Sequence, residues 1–138
     1  MGTPALKTCV LRHLALRVEG MERALWFYRD LLGFEVVWQP DGDNVYLSSG
    51  CDNLALHREA GLTRDPAALD HLGVLVGTPD EVQSAETALA EAGVTILEPT
   101  RKHRDDSVSC YVADPDGNRV QILFEPTISP MTIAGGNP

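Results

Sequence analysis

The sequence predicts an α+β fold of two pseudo-symmetric βαβββ modules, at about residues 10–58 and 70–125 of a single domain spanning 1–138. Three observations carry this. His13-Leu-Ala-Leu-Arg-Val18 and His71-Leu-Gly-Val-Leu-Val76 share a His-Leu head and a Val at the sixth place. Each is followed by a helix-like stretch and a Gly-hydrophobic pair, with Gly33 and Gly93 standing 20 and 22 residues after their histidines. Three β-rich runs then follow in each half, with Tyr46 and Tyr111 at matched places.

Taken in order, His13–Val18 alternates as a strand. Met21, Leu25, Tyr28 and Leu32 recur at helical spacing, which predicts a helix over Met21–Leu32. Trp26, Phe27 and Tyr28 read as core or partner contact on that helix. Strands are expected at Phe34–Gln39, Asn44–Ser48 and Asn53–Arg58, with turns at Pro40-Asp41-Gly42 and around Gly50–Asp52. Residues 59–70 read as the linker between modules. In the second half, Thr78, Pro79 and Glu81 make a capping box ahead of the apolar stripe Val82, Ala85, Leu89 and Ala92. Gly33 and Gly93 suit the left-handed residue that closes a helix. Val94–Glu98, Ser107–Ala113 and Arg119–Phe124 read as strands, the last two joined by Asp114-Pro115-Asp116-Gly117-Asn118. In that turn Asp114 and Asp116 serve backbone hydrogen bonding. Residues 126–138 read as a flexible tail or a segment that packs on a partner.

Strand parity says which side chains share a surface. Leu14, Leu16 and Val18 face the first helix, and Leu72, Val74 and Val76 the second. His13, Ala15 and Arg17 point the other way, as do Ala55 and His57, His71 and Gly73, and Gln121 and Leu123. Two sheets curving toward each other would bring both histidines, His57 and Gln121 into one cleft suited to a metal or small ligand.

Composition narrows the function. A net charge of −9 argues against general affinity for nucleic acid or anionic membrane, because phosphate binding needs a basic face. No apolar run reaches transmembrane length, and Met1–Val10 lacks the apolar segment of a signal peptide. Cys9, Cys51 and Cys110 are odd in number and lack CxxC spacing, so no disulfide framework is expected and a cytoplasmic location is the default. Arg101-Lys-His-Arg104 is the one basic cluster; it reads as a solvated loop, with closure over an anionic substrate as its functional alternative.

His13-Leu-Ala-Leu-Arg-Val, Trp26-Phe-Tyr-Arg-Asp-Leu-Leu-Gly-Phe34, His71-Leu-Gly-Val-Leu-Val and Tyr111-Val-Ala-Asp-Pro-Asp-Gly-Asn118 leading to Gln121-Ile resemble the vicinal oxygen chelate superfamily. This is the glyoxalase, bleomycin-resistance and extradiol-dioxygenase group. The resemblance covers about residues 10–125. It implies paired βαβββ modules around a divalent-metal site, with curved mixed sheets forming a cleft that is often completed by a homodimer. It implies His13 and His71 as metal ligands, joined by a Glu three residues past the Asp-Pro-Asp-Gly-Asn turn. This sequence departs from the pattern there, with Gln121 at that place and Ala55 at its counterpart in the first module. A His/His/Gln set carries no negative charge and holds hard cations more weakly. Neither position supplies the carboxylate base of an isomerase or the carboxylate of a ferrous triad.

Two functions follow. The first is a metal-dependent enzyme of lyase, dioxygenase or transferase kind. In it His13, His71 and Gln121 hold Ni, Zn, Mn or Fe, and His57, Arg17, Tyr46 and Tyr111 contact a small oxygen-containing substrate. His57 is also a candidate third imidazole ligand. The second is a metal-free module, similar to bleomycin-resistance proteins, that sequesters a small molecule.

Overall fold

The computed structural model describes residues 11–62, 69, 71–127 and 129. The expected linker falls outside these at 63–68 and 70, as do Cys9 and most of the expected tail. The first module runs β1 (His13–Val18), α1 (Met21–Leu25) continued by a π-helical stretch (Trp26–Leu31), β2 (Glu35–Asp41), β3 (Asn44–Ser48) and β4 (Asn53–Arg58). The second runs β5 (Leu72–Leu75), α2 (Pro79–Glu91), β6 (Ile96–Lys102), β7 (Val108–Ala113) and β8 (Arg119–Phe124). Each module folds into one four-stranded mixed sheet, in the orders β1-β4-β3-β2 and β5-β8-β7-β6. The α+β architecture expected from the repeat is thus present. In each sheet the first strand pairs parallel with the last, and the other pairs are antiparallel.

The apolar faces of both sheets close over the helices in a single core. Leu16 and Val18, Val45 and Leu47, and Leu54 and Leu56 pack in one cluster with Val82, Leu89, Val112, Val120 and Ile122. The modules are also tied by polar contacts. The Tyr28 hydroxyl donates to Asp114 Oδ2 at 2.7 Å in a buried setting, and the Glu19 N–H donates to Asp116 Oδ1 at 2.9 Å. Asp114 Oδ1 accepts from the N–H groups of Asp116 and Asn118, so the turn acids hold backbone as expected. Ser129, within the segment read as a tail, is buried, and its Oγ accepts from the Glu125 N–H. Among the described residues no helix is long and apolar enough to cross a membrane.

The first helix departs from regular expectation. Its Leu32 N–H reaches back to the Phe27 carbonyl, five residues away, which widens the last turn. The wider turn rotates two successive rings inward: Phe27 and Tyr28 are both fully buried, and Trp26 is left half-exposed. The closing bonds shift with it. In α2 Gly93 N–H bonds Ala90 O and Val94 N–H bonds Leu89 O; after α1 Gly33 N–H bonds Arg29 O and Phe34 N–H bonds Tyr28 O, each one residue longer. Both glycines have positive φ, 82° and 90°. An added Cβ at Gly33 meets nothing within 4 Å, so Gly33→Ala tests backbone strain alone. It is expected to cost about 1–2 kcal/mol, read as a fall in urea midpoint at unchanged slope. At the other helix the Thr78 Oγ1 accepts from Glu81 N–H, while the Glu81 carboxylate reaches the N–H of Gly77 instead of Thr78.

The outer strands are longer than the sequence suggests. β2 runs through Pro40 to Asp41, where a turn was expected, and β6 runs through Pro99 to Lys102, beyond the expected end at Glu98. Both are edge strands, where a proline sacrifices no ladder bond. Both carry register shifts, at Val36/Trp38 and Trp38/Asp41 in one and at Ile96/Glu98 and Glu98/Arg101 in the other. The prolines therefore mark irregular edges, not strand ends. Arg101 and Lys102 accordingly belong to a strand and not to a loop.

Candidate functional site

The register converts the sequence repeat into matched rows across the helix-free faces. In the first sheet Ala15 pairs with Ala55, Ala55 with Tyr46 and Tyr46 with Trp38. In the second, Gly73 pairs with Gln121, Gln121 with Tyr111 and Tyr111 with Glu98. Ala55 and Gln121 are thus structural counterparts, as the motif spacing implies.

On the first sheet His13 opposes Asn53, and its Nδ1 lies 2.9 Å from Asn53 Oδ1. An amide oxygen only accepts, so this contact has Nδ1 donating and turns Nε2 away from Asn53. His57 repeats this, with Nδ1 2.6 Å from Asn44 Oδ1. Tyr46 stands between two rings, Trp38 at 4.9 Å and His57 at 5.8 Å between centroids. Trp38 remains 59% exposed, so this row offers a planar aromatic surface to a ligand. Arg17 sits beside His57 and ion-pairs with Glu59 at 3.7 Å across exposed surface.

On the second sheet the His71 ring stands edge-on to Tyr111, with centroids 5.3 Å apart and planes at 90°. The Arg119 guanidinium lies 4.7 Å from the Tyr111 centroid and is held by Glu98. The Tyr111 ring is therefore packed from two directions. Gln121 Oε1 lies over Gly73, 3.8 Å from where a Cβ would stand, an ordinary contact distance. A cleft of about 510 Å³ opens against this face, lined by Tyr111, Gln121, Ser107, the carboxylate of Asp105 and the basic residues Arg101–Arg104. The structure thus brings His71, Tyr111 and Gln121 together on one sheet. It groups His13, Arg17, Tyr46 and His57 on the other.

Sequence reasoning missed Trp38, Glu98, Arg119 and the pair His103–Ser109, whose Nε2 and Oγ lie 2.7 Å apart. Strict alternation from Glu35 would place Val37 on the helix-free face; the register shift after Val36 puts Trp38 there instead. The same shift brings Glu98 beside Tyr111. No pattern in the chain announces either shift except the proline that follows.

The donor set decides what metal the faces accept. Among the described residues no three His, Cys, Asp or Glu side chains lie close enough together to hold an ion. The carboxylate positions hold a buried Ala55 methyl and the neutral Gln121 amide. Arg119, a fixed cation, directly follows the β-turn and adjoins His71 through Tyr111. A resident hard dication does not fit these residues, because nothing anionic among them offsets its charge.

A family model described as the Glyoxalase/Bleomycin resistance protein/Dioxygenase superfamily matches residues 10–122. Among curated proteins the chain is 29% identical over 117 residues to the catechol-2,3-dioxygenase of Bacillus subtilis, covering 80% of this chain and 39% of that one. The chain therefore spans well under half of that dioxygenase. It is 24% identical over 113 residues to the metallothiol transferase FosB of Staphylococcus epidermidis, covering 81% and 79% of the two chains. Among solved structures, a glyoxalase-related enzyme from Fulvimarina pelagi superposes with a TM-score of 0.71 at 23% identity, over 85% of this chain and 88% of that one.

Proposed function

The chain belongs to the glyoxalase/bleomycin resistance protein/dioxygenase superfamily, and from that premise we propose that it binds a small organic molecule in the cleft of its second sheet, without a resident metal. The observation that carries this is the cleft floor: a Tyr111 ring packed by His71 and Arg119, beside a Gln121 amide at the counterpart of Ala55. Tyr111 offers one donor and an acceptor; Gln121 offers two donors and an acceptor. Together they orient a carbonyl, hydroxyl or amide of the ligand. The chain then acts by sequestering its ligand.

A second reading is favoured by one observation, the Asn53 amide that leaves His13 Nε2 free to coordinate. In it His13, His71 and Gln121 hold a divalent cation, nickel or zinc before manganese or iron, since two imidazoles favour nitrogen-seeking ions. Such a cation would polarise a bound oxygen, with Tyr111 placing the substrate beside it.

Elemental analysis of tag-free protein separates the two. The first reading expects well under stoichiometric metal, and the same melting-temperature response to aromatic ligands with and without EDTA. Near-stoichiometric Ni, Zn, Mn or Fe that disappears in the His13→Ala/His71→Ala double variant overturns it in favour of the second.

A further inference from the structure

The chain carries a net charge of −9, yet three of its eleven Lys and Arg fall within four residues, Arg101 to Arg104. The fold places all four of these residues on the wall of the cleft whose floor is Tyr111 and Gln121. Arg101 enters from the end of β6, opposite Ser109 on the helix-free face. Arg104 is presented by the β6–β7 turn.

That turn is a built structure. His103 N–H bonds the Ser107 carbonyl at 2.8 Å, and Asp106 N–H bonds the His103 carbonyl at 3.1 Å. Asp106 takes the left-handed backbone the turn requires, φ 68°. His103 is pinned to the floor through the buried Ser109. The acids in the segment are already engaged. Asp105 Oδ1 accepts from the N–H and the hydroxyl of Ser107, which holds its carboxyl below the usual range. Asp106 pairs with Lys102 at 3.4 Å. Among the described residues Arg101 and Arg104 have no carboxylate ion pair, as is also true of Arg12 and Arg23 outside the cleft, whereas Arg17, Arg29, Arg58 and Arg119 each have one.

We propose that the ligand of this cleft is an anion, a small molecule bearing a carboxylate or phosphate-type group that Arg101 and Arg104 clamp while Tyr111 and Gln121 hold its neutral part. Planar guanidinium forks match such oxyanions two bonds at a time, and both side chains stand exposed where an entering anion meets them. The assignment rests on the second sheet being the ligand cleft and adds the chemical class of what enters it.

The test titrates the full chain at low ionic strength with inorganic phosphate, benzoate and the neutral benzamide, following both heat and amide NMR shifts. Benzoate is expected to bind saturably at least about tenfold tighter than benzamide, with shifts at Arg101–Ser107, Tyr111 and Gln121. Phosphate is expected to shift Arg101–Ser107 only. Arg101→Ala/Arg104→Ala should erase the preference for benzoate, while Arg12→Ala, outside the cleft, leaves it intact. These are surface side chains, and an unchanged melting temperature checks that the variants fold. Benzamide binding as well as benzoate overturns the anion assignment and leaves the cleft reading standing. Failure of every probe to shift Tyr111 and Gln121 overturns both.

Discussion

Asp114→Ala is expected to destabilise the protein by about 3–4 kcal/mol, the largest loss of any single change at the module interface. One buried carboxylate accepts four hydrogen bonds there: from the N–H groups of Asp116 and Asn118, the Asn118 side-chain amide and the Tyr28 hydroxyl. Truncation leaves those donors without acceptors and unties the turn from the first helix. At this chain length the loss corresponds to a fall in melting temperature of about 10 °C or more. Urea unfolding at constant slope measures it directly, and a loss under 1 kcal/mol would show that water replaces the carboxylate freely. Tyr28→Phe removes only one of the four bonds and is expected to cost about 1–2 kcal/mol.

The same pair makes stability depend on alkaline pH. Burial, then the neighbouring Asp114 charge, raises the Tyr28 phenol well above its ordinary value. The unfolded chain ionises this tyrosine near pH 10, where the folded protein still keeps it neutral. Its contribution is therefore intact below about pH 10 and is lost as pH climbs from there toward the folded value. Between pH 8 and 10.5 the wild type should lose more urea midpoint than Tyr28→Phe. Equal losses would assign the alkaline sensitivity to other groups.

On the second reading, in which His13 and His71 converge on this position, Gln121→Glu is expected to tighten nickel or zinc binding on the order of a hundredfold, about 2.7 kcal/mol. The substitution restores the carboxylate that the repeat places opposite Gly73 and Tyr111. It puts one negative charge into a donor set that has none, at near-constant volume. Arg119 competes for the new carboxylate, since Tyr111 holds it on the same row and Glu98 is its present partner. Melting temperature against metal concentration reads the gain. His13→Ala in the Gln121→Glu background should abolish it. An identical metal response in wild type and Gln121→Glu would mean that His13 and His71 do not converge on this position, and the second functional reading would fall with it.

The sequence and the structure agree where local rules act alone. Period-two alternation in β1, β4 and β8 put Ala55, His57 and Gln121 on the helix-free faces, and the ladders keep them there. The bounds Asn44–Ser48, Asn53–Arg58 and Arg119–Phe124 match the expected strands residue for residue. Agreement fails where tertiary packing overrides a local signal. Pro40 reads as a turn because proline removes a donor, yet an edge strand has a donor to spare. The π-helical turn is invisible to a 3.6-residue period, because an extra residue per turn is adopted to bury Phe27 and Tyr28 together. The cleft wall was the costliest omission: ending the sixth strand at Glu98 turned Arg101–Arg104 into loose loop, whereas the extended hairpin holds it against Tyr111.

The irregular outer strands bear on how these molecules behave in a crowd. β2 leaves Val36, Val37 and Trp38 accessible along a border with no neighbouring strand, a surface on which further chains would stack by backbone pairing. Pro40 interrupts that template, and Pro99 interrupts the equivalent border of the other sheet. Because the interruption recurs in both halves, each flank offers an incoming strand a broken row of backbone partners, while Trp38 and its neighbours stay open to solvent.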